Sequence, residues 1–197
     1  MTALMRATYR FDSRAKITDE PLKAFLAAGA DVDAVDESGW TALMYAAELR
    51  AFEDGVIVLL LQAHADANRA SLHGDTALMM AAYGGYLKQP LLERGANINA
   101  RNADGVTTLM LLAQHSENSD VLKEALDAGA DATAQDNEGR TALDYLKAAS
   151  CDKAIIPLPK PEMVIVPDKP PPCPATSERF LKSQSLLKAA MVKGRPH

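Results

Sequence analysis

The sequence predicts an all-α protein, a solenoid of about five short helix-turn-helix repeats followed by a proline-rich tail. Two recurring marks predict it. The first is Thr-Ala-Leu-Met or a close variant, found at residues 2–5, 41–44, 76–79, 107–110 and 141–144. The second is Gly-Ala-Asp or a relative, found at residues 29–31, 64–66, 95–97 and 129–131. Both advance in phase by roughly thirty-odd residues, a period typical of stacked repeats.

Each part of the repeat has a physical reason. A glycine such as Gly39 lies two residues before the threonine and supplies positive φ in a tight turn. The threonine, as at Thr41, offers its hydroxyl as a helix N-cap. The small pair Ala46 and Ala47 lets neighbouring first helices approach closely. A second helix ends at a left-handed cap such as Gly95, and His64 takes that position in one repeat.

At these residues the chain resembles the ankyrin repeat, whose usual pattern is D-x-x-G-x-T-P-L-H-x-A-A, a second helix, and then L-L-x-x-G-A-D. The resemblance covers roughly residues 1–150. The proline after threonine is replaced here by Ala or Thr, and the histidine by Met44, Met79, Met110 or Asp144. The resemblance implies that the histidine would brace the loops by hydrogen bonds. Because methionine cannot donate a hydrogen bond, we expect softer apolar packing between repeats.

The chain divides into an ankyrin-repeat domain at 1–150, a Pro-rich extended segment at 151–175, and a basic, helical tail at 176–197. The first repeat carries an insertion, Phe11 to Thr18, before its second helix. In the third repeat Pro90 shortens the second helix, which should bend the stack locally.

The tail contains nine of the eleven prolines, which favours polyproline II structure. Pro167 and Pro170 have the spacing that an SH3-type groove accepts, although most such stretches are linkers. The apolar run Met163 to Val166 predicts a strap against the solenoid. A helix is predicted from Glu178 to Lys193; a frayed tail is favoured over a docked helix, and the tail is expected to be dispensable for folding.

The chain begins inside a repeat, because Thr2 to Ala7 is a first helix without its own turn. This favours a fragment, an engineered start or a mis-assigned initiation site, and it predicts that the first helix frays. The cytoplasm is the expected compartment, with a secreted or periplasmic location as the alternative if an upstream signal is missing.

Charge is distributed unevenly. Residues 1–150 carry 13 Lys/Arg against 22 Asp/Glu, whereas residues 151–197 carry 8 against 4. An acidic body argues against nucleic-acid binding, and no segment approaches the ~20 apolar residues that span a membrane. Basic protein partners or the chain's own tail fit the charge better. The alternative is that acidic loops only maintain solubility.

No catalytic, cofactor or metal site is predicted. The four histidines and two cysteines match no zinc or nucleophile spacing, although a Cys-His pair assembled by folding remains an alternative. Cys151 and Cys173 permit one disulfide at most, and their redox state stays open.

The resemblance implies that a partner is held by the variable positions of D-x-x-G-x-T and by the exposed side of each first helix. Those positions are Glu37, Ser38, Trp40, Tyr45, Glu48, Leu72, His73, Asp75, Met80, Tyr83, Ala103, Asp104, Val106, Leu111, Gln114, His115, Asn137, Glu138, Arg140 and Tyr145.

Trp40, the only tryptophan, occupies a turn tip where it either anchors a partner or packs under the Phe11 to Thr18 insertion. Further apolar side chains predict a stripe along the same face, formed by Tyr45, Met80, Tyr83 and Leu111. Such a stripe in a polar groove indicates an interface.

The predicted function is therefore a non-enzymatic, monomeric module that binds a protein partner through its concave face and inhibits or regulates it. The chain has Thr-Ala-Leu-Met where the usual pattern has Thr-Pro-Leu-His. In this respect it resembles bacterial ankyrin proteins, which include effectors and inhibitors. The first alternative is a regulatory or targeting segment of a longer protein, such as an enzyme or a secreted effector, whose N-terminal part is missing. The second is an enzyme, which no residue pattern supports.

Overall fold

The computed structural model describes residues 1–9, 20–48, 54–151 and 178–193. These residues form ten helices: α1 (Ala3–Tyr9), α2 (Glu20–Ala27), α3 (Ala42–Glu48), α4 (Gly55–Gln62), α5 (Ala77–Tyr83), α6 (Gln89–Glu93), α7 (Thr108–His115), α8 (Ser119–Asp127), α9 (Ala142–Cys151) and α10 (Glu178–Lys193).

The helices stack in two layers. The inner helices α1, α3, α5, α7 and α9 pack on one another in chain order, and outer helices flank them. Among the outer helices, α4 packs on α6 and α8 packs on α10. This is the repeat solenoid that the sequence period predicts.

Four turn tips connect each outer helix to the next inner helix. Their glycines, Gly39, Gly74, Gly105 and Gly139, all have φ between 76° and 84°. Successive tips are joined by backbone hydrogen bonds, since the N–H of Leu72 donates to Ser38 O at 3.0 Å and that of Ala103 donates to His73 O at 2.8 Å. The last tip follows the same rule through Asn137 N–H and Asp104 O at 2.9 Å. The tips therefore form one continuous row.

The turns that directly follow the outer helices are connected to one another by side-chain hydrogen bonds. Asn68 accepts a hydrogen bond from the N–H of Asn97 at 2.7 Å and donates to Gly95 O at 3.0 Å. Asn99 repeats both bonds one repeat later, with the N–H of Asp131 and the carbonyl of Gly129. Asp33 makes only the first kind of bond, from the N–H of Asp66 at 3.0 Å, because a carboxylate has no N–H to donate.

The helix caps agree with the sequence prediction. Gly29, Gly95 and Gly129 end outer helices with φ between 79° and 89°, and His64 adopts the same left-handed conformation at φ 66°. His64 is the only non-glycine with positive φ in the part of the chain that the structure describes. A residue with a β-carbon is strained in this conformation, so the cap of this outer helix is less stable than the glycine caps of the other repeats.

Methionines replace the family histidine as expected and fill the interior. Met5, Met44, Met79 and Met110 are all fully buried along the inner stack. Two of them add a hydrogen bond that the sequence did not predict. The sulfur of Met5 accepts the N–H of Thr2 at 3.3 Å, and Met110 accepts that of Thr107 at 3.4 Å. In the fifth repeat, Asp144 accepts both the N–H and the hydroxyl of Thr141.

The tail helix corrects one prediction. Helix α10 has the predicted bounds, but it is docked rather than frayed, because it packs against both α8 and α9 with Phe180, Ser183 and Leu187 buried. Its first turn is fixed by polar contacts: the Arg179 guanidinium donates to Ser116 O, and Lys182 Nζ lies 2.6 Å from Asp120 Oδ1. Helix α10 therefore occupies the place of the outer helix in the fifth repeat.

Some of the remaining sequence predictions concern residues that the structure describes, and others concern residues outside that part. Helix α6 has five residues, against eight or nine in α2, α4 and α8, and Pro90 lies in its first turn as predicted. Helix α1 buries Leu4 and Met5, while its predicted fraying stays a prediction. The Phe11 to Thr18 insertion, the Met163 to Val166 strap and the Pro167 to Pro170 motif lie outside the described residues, as do the side chains of both cysteines.

Candidate protein-interaction surface

The surface predicted to bind a partner is built from the four tips and the exposed side of the inner helices. We call the tips together the tip row, defined as residues 36–40, 71–75, 102–106 and 136–140. Each tip is a hairpin closed by a backbone hydrogen bond, for example from the N–H of Asp36 to Trp40 O at 3.0 Å. Because each tip is also bonded to the next, the row is a rigid scaffold for its side chains.

The first residue of each tip positions the rest of the hairpin. Asp36 Oδ1 accepts the N–H groups of Ser38 and Trp40, and Asn102 Oδ1 and Asp136 Oδ1 accept the equivalent pairs. Ser71 does the same with its hydroxyl. The list of site residues predicted from the sequence omitted these four, although the first D of D-x-x-G-x-T marks the position.

Two aromatic side chains cover the N-terminal end of the tip row. Trp40 is half-buried, and its ring lies 5.0 Å from that of Tyr45. The Tyr45 hydroxyl donates to Asp36 Oδ2 at 2.6 Å. Burial alone would raise the pKa of Asp36, but this bond and the two tip N–H groups outweigh it and hold the pKa below its usual value. Trp40 thus packs on the protein and still keeps a partly exposed ring.

A second polar cluster lies at the centre, between α5 and α7. Asp75 Oδ1 accepts hydrogen bonds from Asn102 Nδ2 at 3.0 Å and from the Tyr83 hydroxyl at 3.3 Å. Burial and the neighbouring Asp75 carboxylate raise the pKa of Tyr83. His115 lies 6.1 Å from the Tyr83 ring, measured between ring centres, and burial lowers the pKa of its imidazole, which favours the neutral form.

At the C-terminal end, Arg140 binds the tip to helix α9. Its Nε donates to Asp136 Oδ2 at 2.7 Å, and its guanidinium lies 5.3 Å from the centre of the Tyr145 ring. The Tyr145 hydroxyl donates to the same carboxylate at 2.8 Å. Burial alone would raise the pKa of Asp136, but these hydrogen bonds outweigh it and lower the pKa. Arg140 also pairs with Glu138 at 2.9 Å.

Burial divides the predicted site residues into two groups. The exposed or half-buried group comprises Glu37, Ser38, Trp40, Tyr45, Glu48, Leu72, His73, Tyr83, Ala103, Asp104, Gln114, His115, Asn137, Glu138 and Arg140. The buried group comprises Asp75, Met80, Val106, Leu111 and Tyr145.

The predicted stripe of exposed apolar groups is therefore wrong for Met80 and Leu111. Each lies on an inner helix that has another inner helix packed on either side, so the side chain is enclosed. Tyr145 is covered by Arg140, and Asp75 is enclosed by its bonds to Tyr83 and Asn102. These buried residues support the surface from below.

Leu72 is the most exposed large apolar side chain of the tip row, at 80%. It sits against the preceding tip, since a β-carbon built on Gly39 would lie 3.2 Å from Leu72 Cγ. His73 beside it contacts Asp104 at 3.1 Å, which links the tips of the third and fourth repeats. The centre of the row therefore presents one apolar group flanked by polar ones.

Among the residues that the structure describes, no group of three or more His, Cys, Asp or Glu side chains is placed to hold a metal ion. No described helix is both long and apolar enough to cross a membrane. What the described surface offers chemically is a rigid array of carboxylates, amides and aromatic rings.

Comparison with known proteins agrees with this architecture. A family model described as ankyrin repeats (3 copies) matches residues 4–102, and one described as ankyrin repeats (many copies) matches residues 91–146. The chain is similar to a mitochondrial disaggregase of Bos taurus, with 31% identity over 140 residues. That match covers 69% of this chain and 20% of the bovine protein, so the chain corresponds to a small part of that relative.

Proposed function

Because the chain belongs to the ankyrin-repeat family, whose repeats mediate protein–protein interaction, we propose that it is a non-enzymatic module that holds one protein partner on the tip row and the adjoining inner-helix surface. The observation that carries the proposal is the continuity of the tips, which backbone hydrogen bonds connect from Ser38 to Asn137. A surface that is already ordered loses little conformational entropy on binding. Binding at this surface would regulate or inhibit the partner by covering it.

A pair of exposed leucines provides a matched test. Leu72 lies in the tip row and Leu181 lies on α10, and their exposed fractions are 80% and 54%. Pull-down with mass spectrometry identifies the partner, and calorimetry then compares the two variants. We expect Leu72→Ser to weaken binding by about 1–3 kcal/mol and Leu181→Ser to leave it unchanged. The reverse result would move the binding surface to the outer side.

Two aromatic substitutions extend this test. Trp40→Ala and Tyr83→Ala should each weaken binding by roughly 1–3 kcal/mol. Both rings also pack on the protein, so thermal unfolding of each variant must be measured alongside. Weakened binding by a variant that unfolds near the wild-type temperature supports the proposal. Normal binding by both variants opposes it.

A second candidate function is suggested by the similarity to part of a disaggregase. In this case the repeats would be one part of a larger enzyme, and they would bind its unfolded protein substrate. Light scattering of a heat-aggregating reporter enzyme, with and without stoichiometric chain, tests it. Slower aggregation that Leu72→Ser abolishes would favour this candidate, whereas no effect would favour a folded, specific partner.

A further inference from the structure

We propose that the partner segment held by the tip row is a basic, extended peptide whose Lys or Arg side chains flank one apolar residue. This inference rests on the proposed function and specifies the chemistry of the partner. It is carried by the charge of the tip row, by the place of its exposed large apolar group, and by the contacts that Arg140, Arg179 and Lys182 make within the protein.

The charge of the tip row is strongly one-sided. Its four segments contain six carboxylates and a single guanidinium, that of Arg140. Arg140 is committed to Asp136 and Glu138 within the fifth repeat. The other three segments contain no Lys or Arg, but the Arg101 guanidinium lies beside one of them, since a β-carbon built on Gly105 would be 2.6 Å from Arg101 Nη2.

The six carboxylates have different roles. Asp36, Asp75 and Asp136 are used internally, as acceptors for tip N–H groups or tyrosine hydroxyls. The other three are exposed, one on each of the second, fourth and fifth repeats: they are Glu37, Asp104 and Glu138. One oxygen of Asp104 contacts His73 and one oxygen of Glu138 pairs with Arg140, so each of these two carboxylates offers a partner its second oxygen. Asp104 is 55% exposed and Glu138 is 70% exposed. The third repeat presents Leu72 instead.

The resulting order along the row is acidic, apolar, acidic, acidic. A peptide that follows the tips meets Glu37, then Leu72, then Asp104 and Glu138. The hydrogen bonds that join the tips hold these groups at fixed positions relative to one another. Lys or Arg opposite the carboxylates and an apolar side chain opposite Leu72 would match it, and such charge complementarity sets specificity and association rate.

The chain's own basic tail does not compete in its described part. Arg179 and Lys182 of α10 contact Ser116 and Asp120 on the far side of the fourth repeat. These two cations are therefore placed away from the tip row.

The test uses a display library of random 15-residue peptides, selected on the full chain at low salt. Selected peptides are synthesised and titrated against two charge-reversal variants. The tip variant carries Glu37→Lys, Asp104→Lys and Glu138→Lys. The control variant has the same net charge but carries exposed outer-helix changes, Glu20→Lys, Glu93→Lys and Glu124→Lys. Circular dichroism confirms that both are folded.

We expect the selected peptides to be enriched in Lys and Arg around a central apolar residue. The tip variant should lose at least about tenfold in affinity and the control less than about twofold, and added salt should weaken wild-type binding. Selection of no peptides, or of peptides without basic enrichment, overturns the inference. Equal binding by the two variants overturns it as well.

The two proposals fail in different ways. Peptides that lose affinity with Leu72→Ser, yet are not basic, overturn the inference and leave the proposed function standing. Peptides whose binding responds to neither Leu72→Ser nor the tip variant overturn both.

Discussion

The inner side of the solenoid is uniform, whereas the outer side is irregular. The first four inner helices have seven or eight residues each, and the four tips share one pattern of backbone hydrogen bonds. The outer helices have between five and 16 residues, and their turns rely on side chains such as Asn68 and Asn99. Regularity therefore lies on the side that presents the candidate binding surface.

The difference has a physical origin. A tip has glycine backbone packed directly against the next tip, so little variation fits. A β-carbon on Gly39 would lie 2.7 Å from the N atom of Leu72, whereas one on Gly29 or Gly95 of the outer turns would meet nothing within 4 Å. The outer side can vary in helix length and cap residue without such clashes.

The largest expected effect concerns α10, the last member of the outer side. Leu187→Ala should destabilise the protein by about 3 kcal/mol, because it opens a cavity where α10 meets α8 and α9. Urea unfolding measures the change, and Leu181→Ala on the exposed side of α10 is the control. An equal, small effect for both would mean that α10 contributes little to the fold, as a dispensable tail predicts.

The next effect compares two glycines with similar φ. Gly39→Ala should cost about 2–3 kcal/mol, since left-handed strain adds to a clash with the next tip. Gly95→Ala carries the strain alone and should cost about 1 kcal/mol. Thermal unfolding of the pair measures the difference. Equal losses would show that the tips are not more tightly packed than the outer turns.

Much of this fold could be predicted from the sequence, because it depends on local rules that repeat. Threonine caps, positive-φ glycines and the Glu178–Lys193 helix all followed from neighbouring residues. The docking of α10 could not be predicted in this way. It packs against α8 and α9, so its place depends on tertiary contacts across a long connection.

The sequence predicts which residues belong to the candidate surface, but it does not predict as well which of their side chains are exposed to solvent. The motif marks Met80 and Leu111 as variable first-helix positions, yet whether such a residue reaches solvent depends on the helices beside it. The exposure of Leu72 has the same character: its neighbour Gly39 leaves the side chain uncovered. The internal role of Asp75 depends on Asn102 and Tyr83, which belong to different helices and turns.

A gain in stability is expected at the irregular cap of the second repeat. His64→Gly should stabilise the protein by about 1 kcal/mol, because glycine adopts the left-handed conformation without a β-carbon penalty. The reverse substitution, Gly129→His, should cost a similar amount at a position with nothing within 4 Å. Chemical denaturation measures both, and a loss on His64→Gly would mean that the imidazole makes a stabilising contact.

The smallest expected effect would make the first outer turn resemble the later ones. Asp33→Asn adds an N–H donor that can reach the carbonyl of residue 64, as Asn68 reaches Gly95. The expected gain is about 0.5–1 kcal/mol, the net value of one hydrogen bond. Asn99→Asp is the matched control and should lose a similar amount. Thermal unfolding of both variants at one pH tests the prediction.

The most direct test of the account is an amide hydrogen-exchange footprint of the chain with its identified partner or a selected peptide. Bound partner should slow exchange in the tip row, at 36–40, 71–75, 102–106 and 136–140, and leave α4, α6 and α8 unchanged. Slowed exchange confined to the outer helices, with an unaltered tip row, would contradict the claim that the inner side binds the partner.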